Sequence, residues 1–374
     1  MRILIDARPI QNAHAVRGIG TVVRNLLQAI VQIDTENEYL LLTFAGQALP
    51  NFSQRVRQIT TYRLPRLNRF DWIVDQLYLP GLMRRYGTNV FFATDFNSYP
   101  LPRSGVKVMA MVYDLIPFLY PQAMAEQTWL AQWGLRFNFA NLRRARRLLA
   151  ISEATKNDAV RIIGVKPVRI KVVYPGIDHA IFNTLAASRS IPDIYGISGD
   201  YFLFVGDPEW RKNLRGVLDA LAELPKEVKL VIAGKRAPED SQLRQWLDET
   251  AMTGRVILPG FVPDEDLPSI YGRARGFLFP SRYEGFGLPV AEAMACGCPV
   301  ITSRNSSLPE VAGDAALYVD PERPDKIRAA MATLLQEETL CETLRARGLA
   351  QVRQFTWESA ARETVAAFRE VASE

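Results

Sequence analysis

Apolar residues fall in two rhythms along this chain. Short apolar blocks with no alternating polar face read as strands buried on both sides: "RILID" (2–6), "YLLLTF" (39–44), "NVFFAT" (89–94), "VKVMAMV" (106–112), "RLLAIS" (147–152) and "IKVVYP" (170–175). Between them lie longer stretches with a helical period. In "TVVRNLLQAIVQI" (21–33), Val22, Val23, Leu26, Leu27, Ile30 and Ile33 share one face, and "WIVDQLYLPGLMRRY" (72–86) and "QTWLAQWGLRFNFANLRRA" (127–145) read as further helices. Strand and helix alternate, the pattern of a doubly wound α/β domain with a parallel sheet.

The pattern then repeats. "YFLFVG" (201–206), "VKLVIAG" (228–234), "RVILPG" (255–260) and "GFLFP" (276–280) read as strands, with helices at 212–224 and 240–252. The segment 181–200 has no clear period and is rich in small and polar residues, so it reads as a linker. The expected organisation is an N-terminal domain over 1–180 and a C-terminal domain over 201–355. A last helix near 356–372 begins at a Thr356 cap. Two doubly wound domains bind ligands at the carboxyl ends of their strands, so motifs just after strands carry the chemistry.

Length supports the division, since 374 residues exceed one ordinary core. A composition of 48% hydrophobic and 23% charged residues is that of a folded protein. No apolar run approaches membrane-spanning length, and "MRILIDARPI" lacks a signal-peptide core, so a cytoplasmic location is expected. Cys296, Cys298 and Cys341 form no CxxC pair, which argues against a disulfide framework or structural zinc. With His14 and His179 the only histidines, no metal site is expected. Residues 1–185 hold 23 Lys+Arg against 12 Asp+Glu, whereas 186–374 hold 22 against 28. A basic N-terminal half fits a solvated surface or an anionic partner such as a membrane. Arg84, Arg85, Arg143, Arg144, Arg146 and Arg147, with Trp129, Trp133 and Phe137, are the candidate membrane-facing set. Nothing resembles a nucleic-acid recognition motif.

Four motifs follow strands. In "SRYEGFGLPVAEAMACGCPV" (281–300), Glu284 precedes a glycine turn and Glu292 follows it, with Pro289 opening a helix. On one continuous helix the two carboxylates would stand roughly 12 Å and about 80° apart. A loop followed by a helix instead lets both face one ligand, while Gly285 and Gly287 expose amides at a positive helix end. Such a ligand carries hydroxyls and a phosphate. In "FVGDPEWRKNL" (204–214), Arg211 and Lys212 precede a helix and form a diphosphate clamp, although a dibasic pair there is also compatible with plain surface. In "RPIQNAHAVRGIGTVV" (8–23), Gly18 and Gly20 come too late after the strand for a dinucleotide fingerprint and suggest a flexible rim. In "VYDLIPFLYP" (112–121), Tyr113 and Asp114 are expected to project from the strand end, with a simple turn as the rival explanation.

Together these segments resemble the retaining glycosyltransferases of family 4, with the GT-B fold of two Rossmann-like domains, over nearly the whole chain. "EGFGLPVAEAMACGCPVITS" matches that family's Glu-x7-Glu motif, and "ISEATKNDAV", "VVYPGID", "GFVPDEDLPSIYGRARGFLFPS" and "SSLPEVAGDAALYVDP" occur in the family's order. The subgroup most similar is that of mannosyltransferases in bacterial polysaccharide and O-antigen assembly.

The resemblance implies a nucleotide-sugar donor, foremost GDP-mannose, as substrate with no cofactor or metal, and a glycan or lipid-linked acceptor. It implies that Glu284 holds the transferred sugar, Glu292 the ribose, and Arg211 and Lys212 the diphosphate. Phe286, Gly287 and Leu288 would lend amides, and the backbone around Val262 would meet the base. Gly18, Gly20, Tyr113 and Asp114 would line the acceptor side. Two departures stand out: Asp207 where many relatives have Arg or Thr, and Tyr113-Asp114 where many have His-Asp. A same-fold sugar-nucleotide epimerase and a non-catalytic sugar-nucleotide sensor remain the alternatives.

Overall fold

The computed structural model describes residues 1–11, 18–46, 52, 56–61, 71–95, 105–120, 128–187, 192–235 and 237–374. His14 lies outside them. The chain forms two compact units, Met1–Gly176 with Phe355–Glu374, and Ile177–Gln354.

The first unit runs β1 (Arg2–Asp6), α1 (Ile19–Ile33), β2 (Glu38–Phe44), β3 (Val56–Thr61), α2 (Asp71–Arg85), β4 (Val90–Ala93), β5 (Lys107–Val112), α3 (Ile116–Leu119), α4 (Trp129–Leu142), β6 (Arg147–Ala150), α5 (Glu153–Asp158) and β7 (Ile170–Val172). Its seven strands are parallel in the order β3-β2-β1-β4-β5-β6-β7. The order reverses between β1 and β4, which opens a crevice at their carboxyl ends. The central strands are uninterrupted apolar runs because helices cover both faces. Leu4, Phe91, Val108 and Leu148 join Leu79, Met83, Phe139 and Leu142 from α2 and α4 in one core.

The second unit runs α6 (Thr184–Ala187), β8 (Tyr201–Val205), α7 (Leu214–Ala222), β9 (Lys229–Ala233), α8 (Ser241–Glu249), β10 (Val256–Gly260), α9 (Leu267–Arg273), β11 (Gly276–Phe279), α10 (Leu288–Ala295), β12 (Val300–Ser303), α11 (Leu308–Ala312), β13 (Ala316–Val319), α12 (Pro324–Gln336) and α13 (Glu338–Gln351). Its parallel sheet has the order β10-β9-β8-β11-β12-β13, with the reversal between β8 and β11. Much of the stretch expected as a linker belongs to this unit. Phe182 is buried edge-on to Tyr271, and α6 packs on α9. Buried apolar surface there outweighs the local shortage of periodicity, while residues 188–191 lie outside the described set.

After α13 the chain re-enters the first unit as α14 (Trp357–Ser373). Thr356 caps it, its Oγ1 accepting from the Ser359 N–H at 3.1 Å. The helix packs on α1, and Phe368 meets Phe92 edge-on at 5.4 Å.

Candidate active site

The reversal point of the second unit's sheet brings Arg211 and Glu284 together, and each unit is described on its own. In the second unit, adjacent strands β8 and β11 deliver their carboxyl ends side by side. Beyond β8 the chain turns at Gly206 (φ +131°) and forms a short 3-10 turn, Trp210–Lys212. A Cβ on Gly206 would lie 2.2 Å from Lys212 Nζ, so the absent side chain is what lets this ammonium rest against the backbone at the strand end. Asn213, left-handed at φ 57°, closes the turn, and its Nδ2 donates to Pro321 O at 2.6 Å.

Beyond β11, Glu284 is 9% exposed and its Oε2 pairs with Arg211 Nη1 at 2.5 Å. Its other oxygen accepts from Ser281 Oγ at 3.0 Å. Arg211 also reaches Glu209 at 2.9 Å, and its carbonyl accepts from the Arg282 N–H at 2.7 Å. Arg282 in turn donates to Trp210 O and pairs with Glu322, both at 2.6 Å, which ties the β8 loop to the β11 loop. The structure therefore brings Arg211, Lys212 and Glu284 to one place.

Residues not singled out from the sequence hold that place rigid. The Glu284 N–H donates to Ser306 Oγ at 2.9 Å, and Ser306 adopts a left-handed φ of 50°. Ser307 Oγ lies 2.7 Å from Phe286 O and 3.0 Å from Glu284 O, able to donate to one at a time. Ser303 Oγ donates to Ser281 O. Paired serines are generic in sequence, and only their place after β12 reveals the role.

Gly287, at φ 111°, leads into α10 and has no side-chain cap. The N–H groups of Gly287 and Leu288 find no acceptor among the described residues, and Pro289 has none to offer. This helix end is thus uncapped and positive. Gly285 and Phe286 are buried in the same turn. Glu292, half-buried, sits one turn inside α10. Near it, the Tyr271 hydroxyl is fully buried without a partner among the described residues; burial and then the Glu292 charge push its pKa well above the ordinary value. Val262, after β10, is buried.

The first unit carries a polar edge of its own. Arg8 binds Asp6 at 2.8 and 2.9 Å and Asp75 at 2.9 and 2.8 Å, all three buried. Burial opposes the Arg8 charge, but the two carboxylates outweigh it and hold its pKa well above the ordinary value. Gly18 is exposed at the start of α1, whereas Gly20 is buried in its first turn and forms no rim. Tyr113 does not project from its strand end either. Its ring is only 7% exposed and its hydroxyl is buried with no partner among the described residues. Because β5 lies between β4 and β6, the residue leaving it is covered from both sides. Burial, then Asp95 and Asp6, push this hydroxyl's pKa well above its ordinary value, so it is no base at neutral pH. Asp114 is partly exposed and accepts from the Ile116 N–H at 3.1 Å, fixing the turn into α3.

Comparison with known proteins places the chain in a family. Residues 16–181 match the model of glycosyltransferase family 4, and residues 193–351 match that of glycosyl transferases group 1. The O-antigen chain mannosyltransferase B of Escherichia coli is 32% identical, over 87% of this chain and 83% of its own length. The chain belongs to the family 4 glycosyltransferases. Sucrose-phosphate synthase from Thermosynechococcus elongatus superposes on this transferase with a TM-score of 0.82 at 21% identity, covering 100% of this chain and 99% of that one. The Anabaena HepE protein, solved with UDP and glucose, gives 0.75 at 18% identity over 99% and 100% of the two chains. The fold is GT-B. Among the described residues no helix of the transferase is long and apolar enough to cross a membrane.

Proposed function

We propose that this glycosyltransferase moves a mannosyl group from GDP-mannose, with retention at the anomeric carbon, onto a hydroxyl of a glycan or lipid-linked oligosaccharide. The observation that carries the reading is the 2.5 Å contact between Arg211 and Glu284, beside Lys212. A nucleotide sugar joins its diphosphate and its transferred ring through one oxygen. Its site therefore needs an anion-binding cation and a hydroxyl-accepting carboxylate within a single bond's reach. Likeness to an O-antigen mannosyltransferase supports the choice of sugar.

In this reading the bond from C1 to the phosphate oxygen breaks first, and its electron pair stays on the phosphate. Arg211, Lys212 and the amides of Gly287 and Leu288 stabilise the charge that develops there. Glu284 accepts hydrogen bonds from hydroxyls of the transferred sugar, and Glu292 from the ribose. The acceptor hydroxyl attacks C1 from the side the phosphate leaves, and its proton passes to the departing phosphate oxygen. The positive charge comes from side chains and a helix end, so the reading calls for no metal and no cofactor. The base lies toward Val262, and the acceptor approaches the edge bearing Asp114 and Gly18. Three buried free thiols fit a reducing cytoplasm.

The test is transfer from GDP-mannose to an oligosaccharide acceptor in EDTA, with the anomeric configuration of the product read by NMR. An α-linked product, the configuration of the donor, supports the reading. A β-linked product, or an absolute need for a divalent ion, refutes the corresponding part.

A further inference from the structure

The two edges of the first unit's sheet differ in charge. Asp6, Asp95 and Asp114 stand where strands end. At the opposite edge, where β5, β6 and β7 begin, a cavity of about 790 Å³ is lined by Lys107, Arg143, Arg144, Arg146, Arg147 and Arg169, with Glu374 the one carboxylate. Six cations gathered around one lining carboxylate repel each other, and acidic side chains pair with only one of the six among the described residues. Arg147 meets Glu370 at 3.1 Å and Glu374 at 3.4 Å, yet its Nε is buried without an acceptor. Lys107 donates to Ala372 O at 2.8 Å, Arg143 to Ile163 O, and Arg144 to Asn141 Oδ1 at 3.4 Å, all neutral groups. Arg146 and Arg169 have no side-chain hydrogen bond or ion pair among the described residues.

We infer that this cavity is a binding site for phosphate groups, carried either by an anionic lipid headgroup or by a free oligophosphate. Guanidinium forks match phosphate oxygens two at a time, and a half-enclosed cavity screens them from salt better than an open surface does. The volume lies within the range of small-ligand sites. Glu374 occupies the anion position beside Arg147, as an internal competitor would. The site shares no residue with the diphosphate clamp, and the six residues of β5, roughly 20 Å of strand, separate it from the Tyr113 edge.

The test uses the full chain and two probes, sodium tripolyphosphate by calorimetry and phosphatidylglycerol vesicles by co-sedimentation, with phosphatidylcholine vesicles as control. Affinity should fall at least about tenfold in the Arg146→Glu/Arg169→Glu double variant, at one exposed and one half-buried arginine, with a melting temperature close to that of the wild type as the check on folding. It should rise in Glu374→Gln. Tripolyphosphate binding without vesicle binding would identify a free phosphate ligand. Vesicle binding that tripolyphosphate fails to displace would identify a headgroup. Two results would overturn the inference: neither probe binds the wild type, or the double variant binds as well as it does.

Discussion

Replacing Gly206 by alanine should cripple the transferase without touching a charged group. The added Cβ would meet Lys212 Nζ at 2.2 Å, more than 1 Å inside ordinary contact, and Cε at 3.1 Å. The ammonium is the tip of a flexible side chain, so it moves and the fold survives. A φ of +131° adds about 1–3 kcal/mol of backbone strain for any residue with a side chain. Displacing a preorganised charge by about 1 Å costs on the order of 10²-fold in turnover, close to the 10²–10³-fold roughly expected for Lys212→Ala. Steady-state kinetics with GDP-mannose should therefore give similar losses for both variants. The double variant should be little worse than either alone, because both act through one ammonium. Turnover of Gly206→Ala within threefold of wild type, or fully multiplicative losses, would refute this role for Lys212.

Three further outcomes follow from the geometry. Glu292→Ala should raise the donor KM by about 10–100-fold with little change in kcat, the loss of a charged hydrogen bond to ribose; a fall in kcat at unchanged donor affinity would remove that assignment. Ser307→Ala deletes the hydroxyl that holds the Glu284–Phe286 turn and should cost about 1–2 kcal/mol in thermal unfolding, whereas an unchanged melting temperature would show the turn to be self-supporting. Tyr113→Phe removes a buried hydroxyl with no partner and should raise the melting temperature of the first unit by about 2–4 °C per kcal/mol recovered; a lower melting temperature would mean that the hydroxyl has a partner.

Much of this was legible in the chain because central parallel strands are unbroken apolar runs. β1, β5 and β8 are of that kind, and each forms a strand where the apolar run predicts one. β3 escaped because it is an edge strand. Arg57 and Gln58 are exposed on it, and only Ile59 and Thr61 are buried. The serines after β12 escaped because their function depends on a neighbouring strand, not on sequence spacing. Tyr113 misled for a related reason: a residue just past a strand end reads as projecting, and only the flanking strands reveal that it is covered. Gly20 belongs to the first turn of α1 because the open N-terminus falls at Gly18, a shift too small for periodicity to locate.

The most direct measurement is a thermal-shift panel of GDP, UDP, dTDP and ADP in EDTA, run on the wild type and on Arg211→Ala/Lys212→Ala. A GDP-bound diphosphate clamp predicts stabilisation of the wild type by GDP above the other three, and its loss in the double variant. Equal stabilisation of the double variant, or a shift only when a divalent ion is restored, would contradict the clamp.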